Sequence, residues 1–265
     1  MNDDASFAAR LRWWRERRSL SQLALAHAAN VSQRHVSFLE IGRAAPSRDM
    51  VLRLSAALEL TFREQNALLL SAGFAPLWRE TAFGAPGLAL VDRALDFMLD
   101  QQEPYPGYVL DRRWNLLRAN RAGRELVGFL TGGPFTPDPA NPISFADALV
   151  APDALRPLIV NWRDVALYFV RSVRADALAD GTEASAALLA RLLAYPDVPG
   201  IWEAPDEGDE PVLTIHFRKD GVSLRMLTTL ATLGTPRDIT AQEIRIECFF
   251  PADAETADVF KKWAA

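Results

Sequence analysis

The order of apolar and polar residues separates a helical first part of the chain from a mixed second part. Residues 7–75 contain five segments in which apolar residues recur at three- and four-residue spacing, with polar breaks between them. Ser21, Ser32, Ser47 and Thr61 begin four of these segments, where a hydroxyl can accept hydrogen bonds from the free amides of a first helical turn. The pattern predicts five short helices in an all-α domain.

The second part combines helical and alternating patterns. Two short extended segments meet at Asp111-Arg112-Arg113, and residues 153–178 and 183–195 have the apolar period of helices. The segments VLTIHFR, VSLRMLTTLA and EIRIECFF alternate as strands do, with Asp220-Gly221 as a tight turn between the first two. We predict an α+β protein of two domains. Residues 1–76 form the first, residues 77–103 are a linker and connecting helix, and residues 104–265 form a domain with an antiparallel sheet and helices gathered on one face of it.

The strand and helix patterns of the second domain predict a large apolar interior. One face of the strands is expected to carry Leu224, Met226, Thr228, Ile244, Ile246, Cys248 and Phe250, opposite Arg245 and Glu247. A helical stripe is expected from Leu158, Trp162, Val165, Phe169 and Val173. Packed together, these surfaces form either a closed core or a ligand pocket. If there is a pocket, the expected contacts are Trp114, Trp162, Val165, Phe169, Met226 and Cys248.

Composition and charge narrow the function. The 265 residues include one cysteine, and no apolar run reaches the length of a membrane span, so we expect a cytoplasmic protein with no disulfide and no membrane insertion. Residues 1–80 carry a net charge of +3 and the remaining residues −8, which gives −5 overall. The asymmetry is either an ordinary scatter of surface charges or a sign that the first domain binds a polyanion.

The segment SQLALAHAANVSQRHVSFLEIGR has the pattern of a helix-turn-helix. Asn30 stands at the turn, apolar residues fall on the facing sides of the two helices, and Ser32, Gln33, Arg34 and Ser37 are left outward. Over residues 7–70 the segment resembles the XRE family, the phage-repressor and Cro type of DNA-binding domain. The resemblance rests on Ser21-Gln22, Leu25-Ala26, Val31-Ser32, Val36-Ser37, Glu40 and Gly42-Arg43.

This resemblance implies how double-stranded DNA would be bound. The second helix of the motif would enter the major groove with Gln33 and Arg34 reading bases, which suits the preference of Gln for adenine and of Arg for guanine. Gln22, Arg43 and Ser47 would approach phosphates, and the protein would bind as a homodimer. The family pattern also implies a salt bridge between Arg15 and Glu40. Phe38 departs from the pattern, and either a thymine-methyl contact or core packing would account for it. The alternative for the motif is a helical module for protein contacts.

A second resemblance covers most of residues 61–258. TFREQNALLLSAGFAP, PGYVLDRRWNLLRAN, IVNWRDV and TLGTPRDITAQEIRIECFFPADAETAD are similar to segments of the MmyB-like regulators. That class implies a PAS-like C-terminal domain that senses small molecules, with fatty acids among the candidates. For a carboxylate head group, Arg171 or Arg174 would supply a cation.

No pattern for catalysis is present. The three histidines are scattered, Cys248 has no base nearby in sequence, and neither a metal-ligand spacing nor a phosphate loop occurs. We therefore expect neither an enzyme nor a cofactor. The interpretation is a transcriptional regulator that senses a small apolar ligand, and the alternative is a DNA-binding protein whose C-terminal domain serves only dimerisation or protein contacts.

Overall fold

The computed structural model describes residues 5–138, 141–202 and 211–265, and they divide into two compact units. The first unit extends to Glu80 and also includes Asp180–Glu183 and Arg237–Ile239. Its described helices are α1 (Phe7–Arg17), α2 (Gln22–Ala28), α3 (Gln33–Glu40), α4 (Arg48–Ala57) and α5 (Phe62–Ser71). These are the five predicted helices, so the all-α first domain is confirmed.

Serine caps set the starts of these helices. The hydroxyls of Ser21, Ser32 and Ser47 accept hydrogen bonds from the amides of Ala24, His35 and Met50 at 3.0–3.2 Å, as the sequence predicts. Thr61 also stands at an N-cap position, but its hydroxyl makes no capping hydrogen bond. The prediction of a side-chain cap at Thr61 is therefore wrong, although α5 begins where expected.

The second unit is built on an antiparallel sheet. Its strands are β1 (Gly107–Leu110), β2 (Leu116–Ala119), β3 (Thr214–Lys219), β4 (Val222–Thr232) and β5 (Arg245–Pro251), in the order β2-β1-β5-β4-β3. Asp220 and Gly221 both have positive φ, 48° and 78°, as a two-residue hairpin turn requires. β5 is central because it pairs with both β1 and β4. The predicted antiparallel sheet, and with it the α+β class of the second domain, is confirmed.

Helices cover both faces of this sheet. The described helices of this unit are α6 (Ala89–Gln102), α7 (Arg121–Thr131), α8 (Phe145–Val150), α9 (Trp162–Asp180), α10 (Glu183–Leu193), α11 (Val198–Trp202), α12 (Ile239–Glu243) and α13 (Ala254–Ala264). α6, the predicted connecting helix, packs Leu95 and Leu99 against Val109 and Ile246 on one face of the sheet. The larger core lies on the other face and includes residues of α7, α8, α9 and α13. The prediction that helices cover one face only is therefore wrong.

Two details of the predicted stripe and strands also differ. Residues 153–178 do not form one helix, because a short 3-10 turn at Arg156–Leu158 is followed by Ile159, which bridges to Phe217 of β3. Leu158 thus lies outside α9. On β5, Glu247 and Phe249 face the larger core, whereas Ile246 and Cys248 face α6. The expected face of β5 is therefore wrong, because a central strand covered on both sides carries apolar residues on both.

Candidate DNA-binding surface and ligand cavity

A sharp turn joins α2 to α3. Asn30 adopts a left-handed conformation with φ of 53°, which Asn tolerates better than most residues, and the Val31 amide donates to the Ala26 carbonyl at 2.9 Å. Leu25, Val36 and Leu39 are completely buried beneath the two helices. The turn and this shared core hold α2 and α3 as the predicted helix-turn-helix.

The first turn of α3 presents polar side chains to solvent. Ser32, Gln33 and Arg34 are exposed and Ser37 is partly buried. The Arg34 guanidinium lies over the Phe38 ring, 5.1 Å from its centroid. Phe38 is partly exposed and contributes to this outer surface. Core packing is therefore not needed to account for an apolar residue at this position. Gln33 and Arg34 are thus free of the domain core and held on a short, capped helix.

The three predicted phosphate-contacting residues lie in different settings. Arg43 is exposed in the loop that follows α3. Ser47 is exposed as well, but its hydroxyl oxygen already accepts the cap hydrogen bond of α4. The side-chain amide of Gln22 donates to Glu40 Oε2 at 2.8 Å, so Gln22 is tied to the interior of the motif.

A buried ion pair fixes α3 against α1. Arg15 Nε and Nη2 donate to the two carboxylate oxygens of Glu40 at 2.6 and 3.0 Å, and Arg15 Nη1 donates to the Leu20 carbonyl at 2.9 Å. The side chains are 12% exposed for Arg15 and 2% for Glu40. The predicted bridge is confirmed. The hydrogen bonds to Glu40 raise the pKa of Arg15, whereas burial lowers it. The two-pronged geometry of the bridge restricts the angle of α3.

The second unit encloses a cavity of about 410 Å³ between the sheet and helices α7, α8 and α9. This volume falls within the range of small-molecule sites. Tyr168 and Val212, which line the cavity, are 66% and 48% exposed and mark its rim. The wall is mostly aromatic and aliphatic. The sequence predicts either a closed core or a pocket between helix and sheet, and the structure contains a pocket.

Three of the six predicted ligand contacts line this cavity: Trp114, Val165 and Phe169. Trp114 and Phe169 meet edge to face, with ring centroids 4.8 Å apart. These residues come from the β1–β2 turn and from α9, so the predicted helical stripe does form part of the wall.

The other three predicted contacts lie away from the wall. Trp162 is buried, its indole N–H donates to the Leu149 carbonyl at 2.9 Å, and Arg156 covers its ring. Met226 is completely buried in the core. Cys248 packs toward α6 on the other face of the sheet. These placements contradict ligand contact by Trp162, Met226 and Cys248. The register of β5 turns Cys248 to the other face of the sheet, whereas Met226 faces the larger core but lies outside the cavity wall.

Sequence reasoning missed several wall residues. Leu126, Val127 and Leu130 belong to α7, which was not predicted although Asn120 caps it and its apolar residues recur at helical spacing. The missed sheet residues include Tyr108 and Glu247. The alternation of residues along β5 places Glu247 on the polar face of the strand. Only the register of β5 against β1 and β4 reveals that Glu247 faces the cavity.

Glu247 is the acidic residue of the described wall. It lies opposite Tyr108 on β1 and Leu230 on β4, and it hydrogen-bonds to Thr228. Burial raises its pKa to about 7, although the Thr228 hydrogen bond and the charge of Arg245 favour the ionised form. Burial also raises the pKa of Tyr108, whose hydroxyl donates to the Gly123 carbonyl.

Cations are missing from the described part of the wall: no Arg, Lys or His lines it. Arg171 and Arg174, the predicted partners of a carboxylate head group, do not contribute to it. Within the described ranges, no cluster of three His, Cys, Asp or Glu side chains could hold a metal ion, and no helix is long and apolar enough to cross a membrane.

Comparisons with known proteins agree with the two units. Residues 11–65 match a helix-turn-helix family model, and residues 91–262 match the model of the MmyB-like transcription regulator ligand-binding domain. No curated protein matches the chain. A solved structure of an RNA-binding light-oxygen-voltage receptor is 14% identical, with a TM-score of 0.30, and the match covers 96% of this chain. The chain spans 61% of that receptor's length.

Proposed function

The chain belongs to the MmyB-like transcription regulators, and on that premise we propose that it reads a specific DNA sequence and changes its DNA affinity when a small apolar ligand occupies the cavity. The DNA-binding and ligand-binding domains of such a regulator are present. The observation that carries the proposal is that one chain combines the exposed α3 residues Gln33 and Arg34 with an apolar cavity of about 410 Å³.

The DNA-binding part of the proposal assigns roles to the outer face of the first domain. Gln33 and Arg34 read base edges in the major groove, where Ser32 and Ser37 contribute short polar contacts. Arg43 and Ser47 contact phosphates, and Gln22, whose side-chain amide donates to Glu40, approaches the DNA backbone beside them. A single helix-turn-helix reads one half-site, so the proposed form on DNA is a homodimer. The proposed location is the cytoplasm.

Alanine substitution separates base reading from phosphate contact. After selection of an operator from random DNA with the purified protein, Gln33→Ala or Arg34→Ala is expected to cost about 1–3 kcal/mol on that operator and little on unrelated DNA, because a base contact is lost. Arg43→Ala is the matched comparison. It should weaken binding to both DNAs and flatten the slope of log affinity against log salt by about one, because a phosphate contact is lost. Fluorescence anisotropy measures both effects.

Equal losses on operator and unrelated DNA would remove Gln33 and Arg34 from base reading. A motif used for protein contacts predicts still another result, in which selection yields no preferred sequence at all. That result would leave the first domain as an interaction module.

The ligand-sensing part predicts that fatty acids stabilise the protein and alter operator affinity. Burial of an acyl chain contributes about 0.8 kcal/mol per methylene, so a chain of medium length suffices for retention in the cavity. We expect native mass spectrometry after mild desalting to detect the bound chain, and the melting temperature to rise with ligand concentration. Operator affinity is measured with and without ligand.

Two variants test whether the ligand-induced rise in melting temperature comes from binding in the cavity. Val165→Trp places a large ring on the cavity wall and should abolish the ligand-induced rise in melting temperature, whereas Trp162→Ala, a core change away from the wall, should lower stability and leave the rise intact. Detection of no bound molecule, with no shift in melting temperature from a fatty acid, a fatty alcohol or a fatty amine, would favour a C-terminal domain that serves only dimerisation.

A further inference from the structure

Glu247 is the charged residue of the described wall, which is mostly apolar. The wall also carries the hydroxyls of Tyr168, Ser172 and Thr228 and the indole N–H of Trp114, which has no hydrogen-bond partner among the described residues. Glu247 stands on the middle strand of the sheet, between the directly paired residues Tyr108 and Leu230, and all three line the cavity. Ligand sites use a small number of polar groups within apolar walls to fix the orientation of a ligand. Among the polar groups of the described wall, Glu247 is the one that can carry a charge complementary to a ligand.

The cation that acts on Glu247, Arg245, is itself paired. Arg245 lies two residues away on the same side of β5, donates to Asp176 at 2.6 Å and lies over the Trp114 ring, 4.9 Å from its centroid. Asp176 therefore balances the charge of Arg245. Tyr108 faces Glu247 from β1 and uses its hydroxyl as a donor to Gly123, while Thr228 on β4 supplies a neutral hydroxyl.

Aromatic rings surround the same position. The Tyr108 ring meets Phe145 and Phe249 edge to face, with centroids 5.0 and 5.5 Å apart, and all three line the cavity. The faces of aromatic rings attract cations and do not attract anions. The carboxyl and the rings therefore favour the same sign of charge in a ligand.

We propose, resting on the sensing role stated above, that the ligand of this cavity is an amphiphilic amine whose ammonium group donates to the Glu247 carboxylate while its apolar part packs against the aromatic and aliphatic wall. A carboxylate at the same position would repel the ionised form of Glu247, with no cation among the described wall residues to compensate. A fatty acid can occupy the cavity only with its head group away from Glu247.

Three probes of equal chain length test this inference on the full chain: dodecylamine, dodecan-1-ol and dodecanoic acid, with affinities measured by isothermal titration calorimetry. At pH 8 we expect dodecylamine to bind roughly tenfold to a hundredfold more tightly than dodecanoic acid, as a charge-assisted hydrogen bond provides. Dodecanol should bind with intermediate affinity. An alkyl ammonium remains charged well above pH 8, so the affinity for dodecylamine should increase from pH 6 to pH 8 as Glu247 loses its proton.

Glu247→Gln keeps the size of the side chain and removes its charge. In this variant dodecylamine should lose its advantage over dodecanol, and its affinity should become independent of pH over that range. Glu125→Gln, on the outer side of α7 where Glu125 pairs with Arg121, is the matched control and should behave as the wild type. Thr228→Val removes the hydroxyl that stabilises the carboxylate and should shift the pH dependence upward.

The outcomes separate this inference from the sensing role. If dodecanoic acid binds as tightly as dodecylamine at pH 8, or if Glu247→Gln retains the preference for the amine, the amine assignment is overturned and the sensing role stands. If none of the three probes binds, both are overturned.

Discussion

Replacing Glu40 with alanine is expected to destabilise the helix-turn-helix domain by about 3–5 kcal/mol, a large part of the stability of a small domain. The substitution leaves the Arg15 guanidinium, 12% exposed, without its two-pronged partner, and it also removes the acceptor of the Gln22 amide. A buried charge with no partner is far more costly than a missing pair. The free energy of opening, measured by hydrogen exchange in peptides from α1 and α3, reports the loss in this domain alone.

A double-mutant cycle assigns the loss to the pair. Arg15→Ala together with Glu40→Ala should be less destabilising than the sum of the two single changes, because the second removal takes away the stranded charge. Arg12→Ala is the surface control: Arg12 pairs with Glu16 on the outside of α1, and its loss should leave exchange nearly unchanged. Additive single losses would show that the bridge does not fix α3.

The first domain was predictable because its signals are local. Each helix carries its apolar period within one segment, and the hydroxyls that begin α2, α3 and α4 stand next to the amides they bind. The bridge between Arg15 and Glu40 joins two helices, yet it was also predictable because the family pattern implies it. Thr61 illustrates the limit: the residue type and its position were correct, yet the hydrogen bond is absent because side-chain orientation depends on packing.

The cavity was less predictable because it depends on contacts between distant segments. The alternation along β5 is the same whichever face meets the larger core, and the choice was settled by pairing with β1 and β4 and by α6 on the opposite side. The alternation alone therefore predicts Glu247 on the face opposite the apolar residues of β5. Nor does an apolar pattern reveal whether the space between helix and sheet is filled, because that depends on summed side-chain volumes.

The partly buried Glu247 also makes the stability of the folded chain depend on pH in the absence of ligand. The pKa of Glu247 is about 7 in the folded chain and 4.5 in a solvent-exposed glutamate, so between these values the folded state retains a proton that the unfolded state has released. The contribution of this group to stability is complete below about pH 4.5. It declines as the pH rises and is lost above pH 7, a change of roughly 3 kcal/mol in favour of the acidic end.

Unfolding of the second domain in urea, measured from pH 5 to pH 8, tests this expectation by comparing the wild type with Glu247→Gln. Glutamine cannot ionise, so the difference in unfolding free energy between the two proteins should change by about 2.5 kcal/mol across this range, with the wild type losing relative stability as the pH rises. Asp253→Asn provides a control that should stay flat over this range. Hydrogen bonds from Thr256 lower the pKa of Asp253, which caps α13, below its ordinary value of 3.8, so its contribution is constant from pH 5 to pH 8 and declines only in more acidic solution. If the wild type and Glu247→Gln change in parallel from pH 5 to pH 8, the Glu247 carboxyl is in contact with water and the polar end of the cavity must be sought elsewhere on the wall.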